Sequence, residues 1–151
     1  MLKYILLTIT LLLSSTVFAS QAPYSGELTV TALIKEYPKF NDEYLSYAPS
    51  ENELKLIQKL AGKEVLVLFG TWCHDSQREV PRFLKLLDKA NVELAKLSLI
   101  AVGYDKRDPD GIASEHNLRY TPTIIVFENG QELSRMIERP KQSLAVDLSQ
   151  F

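Results

Sequence analysis

The single cysteine of the chain, Cys73, is the residue best suited to chemistry. It follows Trp72 and lies between an apolar stretch typical of a buried strand, 65–69, and a segment of helical periodicity, 76–90. A cysteine at the start of a helix is close to unpaired N–H groups and to the positive end of the helix dipole, which favour thiolate over thiol. The thiolate is the form that attacks disulfides, so the pattern predicts a reactive thiol. A buried, inert cysteine is the alternative.

Three residues that follow Cys73 bear on its chemistry. Ser76 could cap the helix or donate a hydrogen bond to the thiolate, and we assign it to the catalytic site with Cys73. Asp75 lies in the first turn, where a carboxylate suits the dipole but would oppose the thiolate if it lay close to the sulfur. His74 would act by modest electrostatics when protonated, because adjacent residues on a helix rarely face each other. We expect His74 and Asp75 to modulate the ionisation of Cys73.

The first 19 residues have the pattern of a secretory signal peptide. Lys3 gives a positive start, residues 4–13 are apolar, and Val17-Phe18-Ala19 forms a small-residue cleavage site. We therefore predict cleavage after Ala19 and a periplasmic or secreted protein. An uncleaved anchor is the alternative, but the apolar run is shorter than the roughly 20 residues that span a membrane. No stable membrane span is expected after cleavage.

Composition excludes several classes of function. Cleavage after Ala19 would remove 19 of the 151 residues and leave enough for one domain with a sizeable core. The formal net charge is −2 and no basic stripe is present, so nucleic-acid binding is not expected. One cysteine allows no internal disulfide. Two scattered histidines, of which His116 is interpreted as a surface residue, lack the spacing of a metal site, and no cofactor is expected.

Alternating strand and helix patterns predict an α/β fold from residue 50 onward. A capping box formed by Ser50 and Glu53 opens a helix that ends at Gly62. The further predicted elements are a strand at 65–69, a helix at 76–90, a strand at 97–104, a short helix at 112–118, strands at 123–127 and 132–138 joined by an Asn-Gly hairpin, and a helix at 141–149. This order favours a central mixed sheet flanked by helices, with parallel strands joined by helical crossovers and an antiparallel C-terminal hairpin.

Residues 20–49 are interpreted as an N-terminal extension that packs on the domain at 50–151. The evidence is a set of aromatic residues, which are Tyr24, Tyr37, Phe40, Tyr44 and Tyr47. Aromatic side chains bury large areas, and a segment this rich in them is unsuited to solvent on all sides.

Three motifs in order resemble the thioredoxin superfamily. Trp72-Cys73-x-x-Ser76 stands where that family has Trp-Cys-x-x-Cys, and Pro81 matches the proline within its active-site helix. Thr121-Pro122-Thr123, followed by a strand and Asn-Gly, is similar to the family's cis-proline loop and hairpin. The resemblance covers 51–151. Gly-Thr-Trp-Cys-x-Asp-Ser further resembles a subgroup of secreted bacterial thioredoxin-like proteins that carry serine at the second cysteine position.

The resemblance implies a thioredoxin-like fold with a substrate groove beside the thiol. Pro122 is then expected to be cis, and it would expose the backbone of Thr121 so that an extended peptide can pair with it next to Trp72. Thioredoxins also carry a buried aspartate six residues before the first cysteine, where this chain has Val67. The residue types at positions 67 and 76 both indicate that the intramolecular resolving step is absent.

The expected function is monothiol thiol–disulfide exchange. Cys73 would form a mixed disulfide with a protein or small-molecule partner, and an external or substrate thiol would resolve it. That chemistry suits an isomerase or a reductase with an external thiol. The alternative is a non-catalytic binding module that uses the groove at Trp72 and cis-Pro122. A peroxidase is disfavoured because the Pro-x-x-x-Thr-x-x-Cys arrangement is absent.

Overall fold

A computed structural model describes residues 22–151, so the predicted signal peptide at 1–19 lies outside the described residues. The strands are β1 (Gly26–Leu28), β2 (Glu64–Phe69), β3 (Lys96–Ala101), β4 (Thr123–Glu128) and β5 (Gln131–Ile137). The helices are α1 (Val30–Glu36), α2 (Pro38–Ser46), α3 (Glu51–Ile57), α4 (His74–Lys89), α5 (Ile112–Glu115) and α6 (Leu144–Leu148), and a 3-10 turn (Gln58–Leu60) follows α3. Within 22–151, no helix has the length and apolar character needed to cross a membrane.

The five strands form one mixed sheet in the order β1-β3-β2-β4-β5, which confirms the predicted fold class. Only β2 and β3 are parallel, and β4 runs antiparallel to β2 although crossover-linked parallel strands were expected. The segment between β3 and β4, which contains the four-residue helix α5, does not cross back along the sheet. The chain therefore re-enters the sheet at the edge where β3 ends.

The central strand β2 supplies both hydrophobic cores through its alternating side chains. Val65, Val67 and Phe69 belong to the larger core, which also takes in the apolar face of α4. Leu66 and Leu68 belong to a smaller core on the opposite face, with Ala113 of α5 and residues of β3 and β4. A strand buried on both faces explains its continuous apolar sequence. The predicted apolar stripe of α4 is buried, and it consists of Val80, Phe83, Leu84 and Leu87.

Residues 26–46 add an edge strand and two helices to the same framework. β1 pairs antiparallel with β3, and Leu33 of α1 and Phe40 of α2 are fully buried in the larger core. The ring of Phe40 meets that of Phe69 edge to face, with centroids 5.9 Å apart. Tyr44 of α2 donates a hydrogen bond to Asp88 Oδ2 of α4 at 3.0 Å. Helix α2 thus packs against α4, the helix that follows Cys73.

Replacing Phe40 with alanine tests how strongly this segment contributes to the core. Removing a fully buried ring should lower the free energy of unfolding by about 3–5 kcal/mol. Urea unfolding of the purified protein measures this change in the free energy of unfolding. Leu45→Ala on the same helix is the control, since Leu45 is 65% exposed and its loss should cost within about 0.5 kcal/mol. Equal effects of the two changes would show that α2 lies outside the cooperative unit.

Candidate active site

Cys73 lies at the edge of the sheet where β2 ends and α4 begins. Its backbone is extended and it is the N-cap of α4, which starts at His74. The half-buried thiol donates a hydrogen bond to the carbonyl oxygen of Thr121, with Sγ and O 3.2 Å apart. The Thr121–Pro122 bond is cis, as the resemblance implies. The fold therefore brings Cys73 and the loop at Thr121-Pro122 into contact, although 48 residues separate Cys73 from Thr121 in sequence.

The indole of Trp72 is fixed beside the thiol by groups that the sequence analysis did not identify. Trp72 Nε1 donates to the carbonyl oxygen of Val102, just beyond β3, at 3.0 Å. The ring of Tyr104 lies 5.0 Å from the indole, centroid to centroid, and Tyr104 is 67% exposed. On the other side, a Cβ at Gly70 would lie 2.7 Å from Trp72 Cε2, so only glycine leaves room for the indole.

Ser76 supports the turn before the helix. It is fully buried, and its Oγ accepts a hydrogen bond from the backbone N–H of Gly70 at 3.2 Å. The prediction that Ser76 caps the helix is wrong, because α4 begins two residues earlier and Cys73 occupies the cap position. In place of the expected bond to the cysteine sulfur, the structure has the Ser76 bond to Gly70 and the Cys73 bond to Thr121.

Asp75 is buried and held by two arginines. Its Oδ1 and Oδ2 accept hydrogen bonds from Arg139 Nε at 2.9 Å and Arg139 Nη2 at 3.3 Å. Arg78 Nη2 lies 3.2 Å from Asp75 Oδ1. The pKa of Arg78 is raised, first by its hydrogen bond to the buried Glu79 and further by the charge of Asp75. The carboxylate of Asp75, two residues after Cys73, is therefore balanced by two guanidinium groups.

His74 is exposed on the outer side of the first turn of α4. It lines a polar cleft between α2 and α4, together with Lys39, Asp42, Glu43, Ser46, Gln77 and Arg78. An exposed position next to the thiol suits the modest electrostatic role predicted for His74, and that role stays a prediction.

The second histidine lies away from the thiol. His116 caps the C-terminal end of α5, and its ring meets Phe127 edge to face at 5.5 Å. Phe127 pairs with Glu64 at the start of β2, whereas Cys73 lies beyond its end. Among residues 22–151, no group of three histidine, cysteine, aspartate or glutamate side chains could hold a metal ion.

Comparisons with known proteins identify the class to which this fold and site belong. The family description "Thioredoxin" matches residues 48–150. The thioredoxin of Mycoplasma genitalium is 34% identical over 98 residues, which cover 63% of this chain and 90% of that protein. The chain belongs to the thioredoxin family.

Two solved structures are similar to this chain, and the first of them shows the same fold. A protein of unknown function from Pseudomonas aeruginosa matches with a TM-score of 0.57 at 18% identity, over 79% of this chain and 75% of that one. Mitochondrial thioredoxin 3 from Saccharomyces cerevisiae, in its oxidised form, matches with a TM-score of 0.38 at 24% identity, over 63% of this chain and 86% of that one. Family membership supports a thiol redox role and suggests thiol–disulfide oxidoreductase activity.

Gly70→Ala tests whether the turn before Cys73 fixes the indole. The added Cβ should displace Trp72 from the carbonyl of Val102 and shift the fluorescence of the only tryptophan in the chain. Emission spectra of the folded proteins measure the effect. Gly130→Ala is the control, because a Cβ at Gly130 would meet no atom within 4 Å and the β4–β5 hairpin lies at the end of the sheet where β2 begins. An unchanged spectrum in Gly70→Ala would contradict the steric argument.

Proposed function

We propose that the protein exchanges thiols and disulfides through Cys73 as a single catalytic thiol. The observation that carries this proposal is the contact of Cys73 Sγ with the carbonyl of Thr121. Cys73 is the N-cap of α4, and the chain has no second cysteine. Helix N–H groups that lack partners can stabilise the thiolate. Pairing of an extended substrate with the backbone of Thr121 stays an expectation, since Thr121 is 5% exposed and its carbonyl accepts the bond from Cys73. A general role in thiol redox chemistry follows from membership of the thioredoxin family.

The reaction needs a partner disulfide and a second thiol. The Cys73 thiolate attacks one sulfur of the partner disulfide, so that a new S–S bond forms to Cys73 while the old S–S bond breaks. The departing thiolate takes up a proton. A second thiolate then attacks the partner's sulfur in the mixed disulfide, and Cys73 leaves as a thiolate. The partner disulfide is exchanged or reduced at the expense of the second thiol, and Cys73 is regenerated.

The residues around Cys73 favour a second thiol from outside the chain. Ser76 stands at the position of the resolving cysteine, and its hydroxyl is engaged by the Gly70 N–H. Val67, at the position of the buried family aspartate, is fully buried in β2 between Leu99 and Ile124. An apolar residue there offers no proton acceptor for a resolving thiol. These two residues suit either a reductase with an external thiol or an isomerase in which the substrate's own thiol resolves the complex.

A partner would lie across Trp72, Thr121 and Pro122. Thr121 and Pro122 are themselves buried, so the accessible surface around them is mainly that of neighbouring side chains. Tyr104 and Tyr120, which are 67% and 53% exposed, stand on the two loops next to the thiol. These exposed aromatic rings suit apolar side chains of a protein partner. They also favour the second candidate function, a groove that holds partners without chemistry.

A disulfide-reduction assay tests the proposed mechanism. The protein should reduce insulin only when a small thiol is supplied, because Ser76 cannot displace the mixed disulfide. Ser76→Cys should turn over with an enzymatic dithiol reductant, because it supplies the missing thiol. Turnover of the wild-type protein with the enzymatic reductant and no small thiol would overturn the mechanism.

Cys73→Ala is the matched control for chemistry against binding. It keeps the groove and removes the sulfur. If partner capture under non-reducing conditions persists in Cys73→Ala, the groove alone is responsible and the binding-module function is correct. If capture is lost, the thiol is responsible.

We also propose that the protein is exported to the periplasm or secreted. The support is the basic start at Lys3, the apolar run and the small residues before Ser20. Expressed in a bacterial host with its own N-terminus, the protein should be recovered outside the cytoplasm, with a mass that corresponds to a chain starting at Ser20. Recovery of the uncleaved chain in the membrane fraction would favour the anchor.

A further inference from the structure

The ion pair between Asp75 and Arg139 links two parts of the candidate site. Arg139 follows Glu138, which adopts a left-handed φ of +63° immediately after β5. The N–H of Glu138 donates to the carbonyl oxygen of Pro122 at 2.7 Å. Arg139 then reaches the first turn of α4 with two hydrogen bonds to Asp75. The segment at 138–139 therefore contacts both the cis-proline loop and the helix that carries Cys73.

We propose that Arg139 is a positioning residue that neutralises Asp75 and so keeps the first turn of α4 able to support a thiolate at Cys73. The inference rests on the proposed use of Cys73 as a nucleophile. Asp75 lies two residues from Cys73, in the turn whose N–H groups favour an anion, and it is itself an anion. Unless it is paired, its charge opposes a second negative charge on the sulfur.

The balance of charges around Asp75 explains why Arg139 would favour a thiolate at Cys73. Asp75 and Glu79 contribute two buried negative charges to the cluster. Arg78 and Arg139, whose side chain is 62% exposed, contribute two positive charges. Arg78 bonds through Nε to Glu79 at 2.6 Å, so it is shared between the two carboxylates. Removing Arg139 would leave the cluster with a net negative charge in the first turn of the helix that follows Cys73. Asp75 is 9% exposed, so water cannot substitute fully for the guanidinium.

Other groups near the thiol do not replace Arg139. The charged or titratable side chains on the elements around Cys73 are His74 on α4, Lys39, Asp42 and Glu43 on α2, Tyr104, Asp105 and Lys106 after β3, Arg119 and Tyr120 before the cis bond, and Glu138 after β5. Glu43 is paired with Arg82, and Lys106 lies over the ring of Tyr120. Among residues 22–151, only Arg139 and Arg78 form ion pairs with Asp75.

The rate of Cys73 alkylation by iodoacetamide as a function of pH tests the proposal. Arg139→Gln should slow alkylation at neutral pH by about three- to tenfold and move the midpoint of the profile to higher pH, with the same plateau at high pH. Asp75→Asn should move the midpoint the other way, and Asp75→Asn/Arg139→Gln should restore a profile close to that of the wild-type protein. Loss of packing alone would change the plateau and would not be reversed by removing the carboxylate.

Arg135→Gln is the matched control, since it removes the same charge from β5, where Arg135 is paired with Glu132 at 2.8 Å. Its profile should coincide with that of the wild-type protein. The proposal is overturned if Arg139→Gln leaves the midpoint unchanged, or if the double variant behaves like Arg139→Gln. Alkylation needs no disulfide substrate, so a failure of disulfide exchange in the insulin assay would leave this result intact and would be recognised separately.

Discussion

The contact between the first turn of α4 and the loop before β4 is the constraint on which the site depends. Both segments lie at the edge of the sheet where β2 ends, because β4 runs antiparallel to β2 and begins opposite Leu68. The sulfur of Cys73 and the carbonyl of Thr121 meet there. Since β2 is buried on both faces and paired on both sides, it fixes the start of α4 and the start of β4 relative to one another. A rigid central strand is thus what holds a residue on a turn in a defined position.

The hydrogen bond from Cys73 to Thr121 stabilises the protonated thiol, whereas the N-terminus of α4 stabilises the thiolate. Asp75 is the nearest carboxylate in the sequence, and its bonds to Arg139 and Arg78 compensate its charge. The charge balance around Asp75 therefore depends on Arg139, which lies 64 positions away in the sequence.

Local patterns predicted the elements well, and they predicted long-range contacts poorly. The capping box of Ser50 and Glu53 and the continuous apolar strand at 65–69 are properties of neighbouring residues, and both are present. Periodicity does not report strand direction, which is why the antiparallel course of β4 was missed. The helix predicted at 112–118 ends at Glu115, because Asn117 takes a left-handed φ of +54°. The strand predicted at 97–104 ends at Ala101, before a tight turn closed by bonds between Gly103 and its neighbours.

The same distinction holds at the site. Cys73, Trp72 and Pro122 were found from motifs, whereas no local signal pointed to Arg139 or to the carbonyl of Val102. Tyr104 and Gly70 contact Trp72 only after the chain has folded. Helical periodicity placed the helix start at residue 76, but α4 begins at His74 and the extended backbone of Cys73 takes the N-cap position. Side chains on different elements are brought together by tertiary packing, which single-sequence patterns do not encode.

Serine at position 76 has a structural reason that is independent of redox chemistry. The backbone N–H of Gly70 is buried, and a buried donor without an acceptor is costly. The hydroxyl of Ser76 accepts that hydrogen bond at a position where an alanine could not. Sulfur is a weak acceptor, so serine serves the turn better than cysteine does. Ser76 therefore keeps the turn that presents Trp72 and Cys73. In the proposed monothiol mechanism, the same serine leaves the second half of the reaction to a thiol of the partner or of another molecule.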